Sequence, residues 1–371
     1  MPTRRPKSSA IASPSTVPKW SARTELVGVR FSLRPKTSAP LFSQYSIGLH
    51  AWLLHQVQAM DADLSAQMHD GQSEKPFSLS GLDGRFVSTG QRLMVDRTQT
   101  YDWHVSALSK PVVKWLAQWL PQCPTELRLG EVPFTIASVD LALPPMTYSQ
   151  LMKQAQGEGA VELSFLSPTS FRRKGNHFPL PVPVNVFHSY LRRWNHFSGK
   201  PVESNAFLEW VEESVVVAQA QLDTAKVSAG KRGMVTGFTG AVRFGLTTKG
   251  RSHPDYAPLF YTLCAFAPYC GTGHKTTFGL GQTVAGWMPE PRSPQLLQDR
   301  LSERIDELTE VFLALRKRTG GHRAMAIAQT QATIMARREM GESLKAIAAD
   351  LDLNYETART YSKLALKQAQ D

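Results

Sequence analysis

Residues 271–281 read GTGHKTTFGLG, two GxG pairs separated by five residues, one of them Lys275. Glycines at this density let a backbone approach a phosphate chain closely, and successive N–H groups can form an anion-binding nest. Gly271, Gly273, His274, Lys275, Gly279 and Gly281 are therefore candidate phosphate contacts. The pattern lacks the GxxxxGK of a P-loop. It also follows a helical stretch and precedes a strand-like one, the reverse of a dinucleotide-binding turn. A plain glycine-rich turn is the alternative. Two further segments, FRRKGNHF (171–178) and YLRRWNHF (190–197), mix cations with aromatics. Guanidinium groups pair with phosphate, and aromatic or Arg planes stack on unpaired bases. Arg172, Arg173, Lys174, Arg192 and Arg193 are nominated on that ground, with Lys231 and Arg232 as a further groove lining. Arg192 and Arg193 are adjacent on an expected helix and point in different directions, so no more than one is expected to touch RNA. A solvated basic helix face is the alternative.

The whole chain fits a polyanion partner. Formal net charge is +11 over 371 residues, which favours nucleic acid or an anionic surface. No run approaches the roughly 18 apolar residues of a membrane helix, and the opening MPTRRPKSSAIASPSTVPK has no apolar block of a secretory signal. No membrane partner is expected. The three cysteines, Cys123, Cys264 and Cys270, form no CxxC pair and no Cys/His cluster with zinc spacing. No metal site and no cofactor are expected, and the cytoplasm is the expected compartment.

The elements that must position these residues follow from periodicity. ELVGVRFSLRP (25–35) alternates as a strand and SQYSIGLHAWLLHQVQ (43–58) reads as a helix. A short helix over 61–69, strands over 75–82 and 92–108, a helix over 110–120 and a strand-like 126–142 complete a β-α-β-β-α-β order. That order is the split βαβ, ferredoxin-like unit. A second round reads strand 161–171, helix 185–197, strands within 225–246, helix 259–270 and strand 277–287. The expected fold class is α+β: two tandem ferredoxin-like (RRM-like) domains followed by an all-α helix-turn-helix domain. The expected divisions are a disordered basic arm (1–21), an N-terminal domain (22–150), a C-terminal domain with the Gly-rich loop (151–290), a connecting helix (295–319) with Leu297, Leu301, Ile305, Leu308 and Phe312 on one face, and a helix-turn-helix domain (320–371).

GxG-x5-GxG near the end of a tandem ferredoxin-like protein resembles the signature of the CRISPR pre-crRNA processing endoribonucleases, the sixth Cas family of the RAMP superfamily. FLSPTSFRRKGNHFPLPVPVNVFHSYLRRWNHF (165–197) resembles the SPT-F region of that family, and GFTGAVRFGL (237–246) with 259–283 resembles its last strands and loop. The resemblance covers roughly residues 22–290. It implies a metal-independent endoribonuclease that cuts CRISPR repeat RNA in a precursor transcript to give guide RNAs. In that chemistry the 2′-hydroxyl attacks the neighbouring phosphate, leaving 2′,3′-cyclic phosphate and 5′-hydroxyl ends. Other Cas proteins of an interference complex are further candidate partners.

The resemblance also assigns catalytic candidates. Many members carry a His after the first helix and a Lys six residues on; here MHDGQSEKPFSLS holds His69 and Lys75 at that spacing. Transesterification needs a base for the 2′ proton, an acid for the 5′ oxygen and positive charge for the phosphorane-like transition state. An imidazole suits either proton role, and the C-terminus of a short helix favours its protonated form. Lys75 would stabilise phosphate charge. Some members add a Tyr in the first helix; the matching turn here holds Trp52, Leu54 and His55, which leaves the third role to His55, with His50 next.

The tail lies outside that resemblance. RREMGESLKAIAADLDLNYETARTYSKLALKQ reads as helix-turn-helix, with Leu344, Ile347, Ala348 and Leu351 on the first helix face, LDLN as the turn and Asn354 as a cap. Tyr355, Thr357, Arg359 and Lys363 form the expected groove-facing set, and DNA or a protein is the expected tail partner. Two other readings of the whole remain: a non-catalytic repeat-RNA-binding subunit, and a DNA-binding regulator acting through the tail.

Overall fold

The structure, a computed structural model, describes residues 17–41, 45–69, 74–89, 92–155, 157–228, 234–289, 294–315, 322–339 and 342–368. The expected basic arm falls largely outside them, as do Lys231 and Arg232, and the side chains of His69, Leu297 and Leu301 are likewise not described.

The first unit runs β1 (Leu26–Pro35), β2 (Ala39–Leu41), α1 (Tyr45–Met60), α2 (Ala62–His69), β3 (Phe77–Asp83), β4 (Val87–Thr89), β5 (Arg92–Val95), β6 (Tyr101–Ala107), α3 (Lys110–Trp119), β7 (Glu126–Leu129) and β8 (Val132–Met146). Its main sheet has the order β3-β6-β1-β8-β7 with antiparallel neighbours. The first strand is central between the third and fourth main strands, which is the ferredoxin-like arrangement expected from the element order. Alternation along β1 divides its labour. Val27, Val29, Phe31 and Leu33 are buried in the core with Trp103, Trp115 and Trp119, while Arg30 faces the other domain. The stretch expected as one strand over 92–108 is broken. Asp96 accepts from the Thr98 N–H through its carboxylate and from the Gln99 N–H through its carbonyl, a turn that sends β5 into a separate sheet ordered β2-β5-β4.

The second unit runs α4 (Tyr148–Gln154), β9 (Val161–Thr169), β10 (Phe171–Arg173), β11 (Asn176–Phe178), α5 (Pro183–Phe197), α6 (Ser204–Ser214), β12 (Val215–Ser228), β13 (Met234–Leu246), α7 (Thr248–Arg251), α8 (Tyr256–Cys270) and β14 (Thr283–Ala285). Its sheet, β12-β13-β9-β14, repeats the same topology. Phe165, Phe187, Tyr190, Trp194, Phe238, Phe260 and Phe266 fill a second core. The two units are stitched by backbone acceptors: Ser78 Oγ donates to Tyr269 O at 2.6 Å, Tyr148 OH to Leu108 O at 2.7 Å and Tyr269 OH to Pro144 O at 2.7 Å.

The tail is α9 (Pro294–Ala314), α10 (His322–Glu339), α11 (Leu344–Asp350) and α12 (Tyr355–Gln368). Ile305, Leu308 and Phe312 bury against Ala328, Ala332 and Ala336, so the described part of the expected α9 stripe packs on α10. Arg337 is fully buried and donates to Glu342 at 2.7 Å and to Asp350 at 2.8 Å, tying the end of α10 to both ends of α11. No helix among the described residues is long and apolar enough to cross a membrane.

Removing one member of a buried ion pair leaves uncompensated charge. Arg337→Ala is expected to cost the tail about 2–3 kcal/mol, since Glu342 and Asp350 are partly solvated and can rehydrate. Hydrogen exchange read at α10–α12 should report that loss while the two ferredoxin-like cores hold. A change below about 0.5 kcal/mol would show that the guanidinium does not fix these helices.

Candidate nucleic-acid interface and cleavage site

The Gly-rich loop begins where α8 ends. Gly271, Gly273, Gly279 and Gly281 all have positive φ, at 66°, 78°, 81° and 68°. Side chains are excluded as well as strained there: a Cβ on Gly281 would lie 1.9 Å from Thr272 O, and one on Gly273 would lie 2.3 Å from Ser170 O. The N–H groups of Gly271, Thr272, His274, Phe278 and Gly281 donate to backbone carbonyls, and Gly273 N–H donates to Ser189 Oγ at 2.8 Å. The expected phosphate nest is therefore corrected at those positions. Their glycines let the backbone fold onto itself and onto β3, where Leu79 N–H donates to Thr276 O at 2.9 Å and Gly279 bridges Ser80.

The loop is held from inside by α5. Arg193 is 5% exposed. Its guanidinium donates to Ser189 O and Oγ, to Gly271 O, to Gly273 O at 2.8 Å and to Thr276 Oγ1, and its Nε lies 3.6 Å from Glu74. Arg193 is thus corrected from an RNA contact to a clamp, because burial and these partners leave it no path to a phosphate. Arg192 is 46% exposed and pairs with Glu74 at 3.1 Å. Glu74 was not singled out in the sequence, yet it joins α5 to the segment that carries the half-buried Lys75. His188, one turn before Arg192 on α5, was also missed. Packing, then the Arg192 charge, hold its pKa below 6.5.

The histidines of α1 separate. His50 donates from Nδ1 to Thr277 O at 2.9 Å and stacks on Phe278 with ring centroids 4.2 Å apart, so it props the loop. His55 is exposed; five residues on, it is about 140° around the helix. The helix has its own tyrosine, Tyr45, which is buried and accepts from Leu82 N–H through its hydroxyl. His69 ends α2, as expected.

The basic hairpin β10–β11 abuts the loop. Lys174 and Gly175 make its turn with φ of 49° and 84°, and Arg173 stacks over Phe178 at 5.5 Å. His274 donates from Nδ1 to Ser170 O at 2.8 Å and stacks on His177, centroids 5.4 Å apart. Burial pushes the His274 pKa down to about 4, so its ring is neutral near pH 7 and is no phosphate counter-charge. Partial burial and then the neighbouring Arg172 lower the Lys275 pKa. Arg172, Arg173 and Lys174 are exposed on the hairpin. Like charges held together in this way make an anion-attracting patch.

A cleft between the two sheets, ≈ 280 Å³, was not foreseen. Arg30, Asp102 and His104 line it from one unit, and Gln282 and Thr283 from the other. Arg30, Asp102 and His104 come from the face of the first sheet that looks away from its core, alternating with the core residues Phe31 and Trp103. Burial lowers the His104 pKa despite nearby Asp102 and Asp83.

Gly281→Ala is expected to cost more than about 3 kcal/mol, combining a clash with Thr272 O and the left-handed penalty. Gly175→Ala meets nothing within 4 Å and should cost only about 1 kcal/mol. Equal losses in thermal melts would undo the account of the loop. For His274, the folded pKa of about 4 lies below the ordinary 6.5. The unfolded chain therefore binds more protons between these values. Stability contributed by the neutral ring is complete above pH 6.5 and falls as pH drops toward 4. His274→Asn should flatten the denaturation profile across that window; an unchanged profile would place the acid sensitivity elsewhere.

The family model described as CRISPR-associated endoribonuclease Cas6 matches residues 163–283. No curated protein matches. Among solved structures, a Cas6 product complex is 28% identical with TM-score 0.56, and 70% of this chain covers 99% of that chain. A second Cas6 product complex is 25% identical with TM-score 0.58, covering 70% of this chain and 100% of that one. The Thermus thermophilus Cas6 is 22% identical with TM-score 0.54, covering 72% and 100%, a likeness that speaks to the fold.

Proposed function

We propose that this chain, which resembles the CRISPR-associated endoribonucleases of the Cas6 family in motif and fold, cleaves CRISPR repeat RNA in a precursor transcript to release guide RNAs. The observation that carries the reading is the junction at Glu74. It links the Gly-rich loop, through Arg193, to the Lys75 segment just after α2, with exposed cations on the adjoining hairpin. Arg172, Arg173, Lys174, Lys275 and Arg192 hold the RNA backbone in this reading. Product complexes are recorded for two Cas6 relatives, and their RNA-processing role is what is carried over here.

The chemistry proposed is metal-independent transesterification. The 2′-oxygen forms a bond to phosphorus as the bond from phosphorus to the 5′-oxygen breaks, leaving a 2′,3′-cyclic phosphate and a 5′-hydroxyl. A base takes the 2′ proton and an acid supplies one to the departing oxygen. His69 takes one of these roles and Lys75 stabilises the phosphorane charge. The other proton role falls to His50 or His55. His50 is anchored to the loop through its Nδ1 bond to Thr277 O, whereas His55 is exposed.

The test is incubation of purified protein with labelled repeat RNAs in EDTA, comparing the wild type with His69→Ala. Cleavage with cyclic-phosphate ends, slowed about 100-fold or more in the variant, is expected. Tight binding with no cleavage of any repeat would overturn the enzyme reading in favour of a binding subunit. Cleavage that survives in the variant would move proton transfer to His50 or His55.

A further inference from the structure

The four tail helices enclose apolar clusters separate from those of the ferredoxin-like units. Ile334, Ile347, Ala348 and Ala358 form the centre of a three-helix unit, with Leu344, Leu351, Leu353 and Tyr361 packed around them. Both short helices are capped: Ser343 Oγ accepts from Ala346 N–H at 3.2 Å and Asn354 Oδ1 from Glu356 N–H at 2.9 Å. Between them the chain turns at Asp352, with φ of 53°, and Leu353 N–H returns to Ala348 O. This arrangement places α12 on the outside, supported by α10 and α11.

Charge on the unit is sorted. The carboxylates of Glu342 and Asp350 are held by the buried Arg337, and Glu339 is held by Arg304 at 2.9 Å. The cations that remain are turned outward: Arg338, Lys345 and Lys363 are exposed and have no ion pair among the described residues. On α12, Ala358 and Ala365 face the core. Helical geometry puts Glu356, Arg359, Thr360 and Lys363 on the opposite face, with Thr357 at its margin. Arg359 rests against Glu356 at 3.6 Å, an exposed contact that a phosphate or a guanine edge can displace.

We propose that α11 and α12 form a duplex-DNA-binding unit in which α12 enters the major groove. Arg359, Thr360 and Lys363 then face base edges and phosphates, and Lys345 meets the flanking backbone. The B-DNA major groove, about 12 Å wide, admits a helix about 10–12 Å across with its side chains. The major groove of duplex RNA is too narrow, and single-stranded RNA is gripped by rows of stacking aromatics. The exposed part of α12 offers one aromatic, Tyr355. Duplex DNA is therefore the occupant that charge and shape favour. This surface is distinct from the Gly-rich loop and does not depend on RNA cleavage by the body.

The test uses the full chain. A random-core duplex library is selected on the protein in the presence of excess single-stranded RNA. The enriched duplex is then measured against a scrambled one, alongside repeat-RNA cleavage. An enriched motif is expected, with binding lost by about tenfold or more in Arg359→Glu/Lys363→Glu and RNA cleavage within about twofold of wild type. The milder Lys363→Gln should retain the fold and lower the salt dependence of duplex binding by about one unit. Failure to enrich any motif overturns the proposal. So does duplex binding that persists in the double variant, which would assign it to the body, or a variant effect seen only in particle mass, which would make this face a contact between copies. Loss of RNA cleavage alone would count against the nuclease reading and leave this one standing.

Discussion

A buried guanidinium sets the geometry around which the candidate site is built. A cation out of water costs several kcal/mol unless its donors are satisfied. Arg193 meets that demand with backbone carbonyls at Gly271 and Gly273, hydroxyls at Ser189 and Thr276, and the Glu74 carboxylate. Carbonyls can be presented to one point from a loop this short only if the chain takes left-handed turns, and the positive φ at both glycines follows. Glu74 completes the shell from the other domain, so one side chain fixes the mutual position of α5, the loop and the chain leading into β3. The loop's inward N–H bonds are consequences of the same requirement.

Outside that shell the balance reverses. Arg172 depresses the proton affinity of Lys275 after burial has done so, and Arg173 and Lys174 stand exposed on the neighbouring hairpin. Like charge held together in the free protein raises its energy and is relieved by an anion, so the repulsion contributes to affinity. A neutral His274 inside this group is consistent with its construction: the ring stacks on His177 and fastens the hairpin to the loop through Ser170, adding no charge to the cluster. Within the loop an anchoring residue, His274, and a charged one, the half-exposed Lys275, stand side by side.

The periodic parts of this molecule were legible in its sequence and the tertiary parts were not. Alternation in 25–35 and the apolar spacing in 185–197 lead directly to β1 and α5, and the element order leads to two ferredoxin-like sheets. The α6–β12 junction escaped because SNAFLEWVEES passes into VVVAQAQL without Gly or Pro punctuation. The GxG pairs were found, but their spacing suits a backbone approaching a phosphate and a backbone approaching itself equally well; only the contacts to Thr272, Ser170 and Ser189 separate these. Arg193 was within reach. It lies on the stripe of Val186, Tyr190 and Trp194, whereas Arg192 lies off it, so helical phase alone marks Arg193 as inward. Glu74 carried no such signal, because a carboxylate in a short connection has no period to reveal its partner.

The tail is more than a tethered appendix, because α9 packs on β12 and also touches β5. β12 is an edge strand of its sheet among the described residues, and a long open edge invites pairing with another chain. A helix against that strand blunts the liability, which gives α9 a stabilising reason to stay docked whatever the helices beyond it bind. Within the tail, α12 joins the core shared by α9 and α10 through Ala365. The two regions differ in charge pattern: like charges cluster at the Gly-rich loop, and ion pairs sort the charges of the tail. Relatives covered almost end to end by 70% of this chain lack a counterpart for the remainder. The family model ends at residue 283, before α9 begins, so the tail helices lie beyond the stretch it matches.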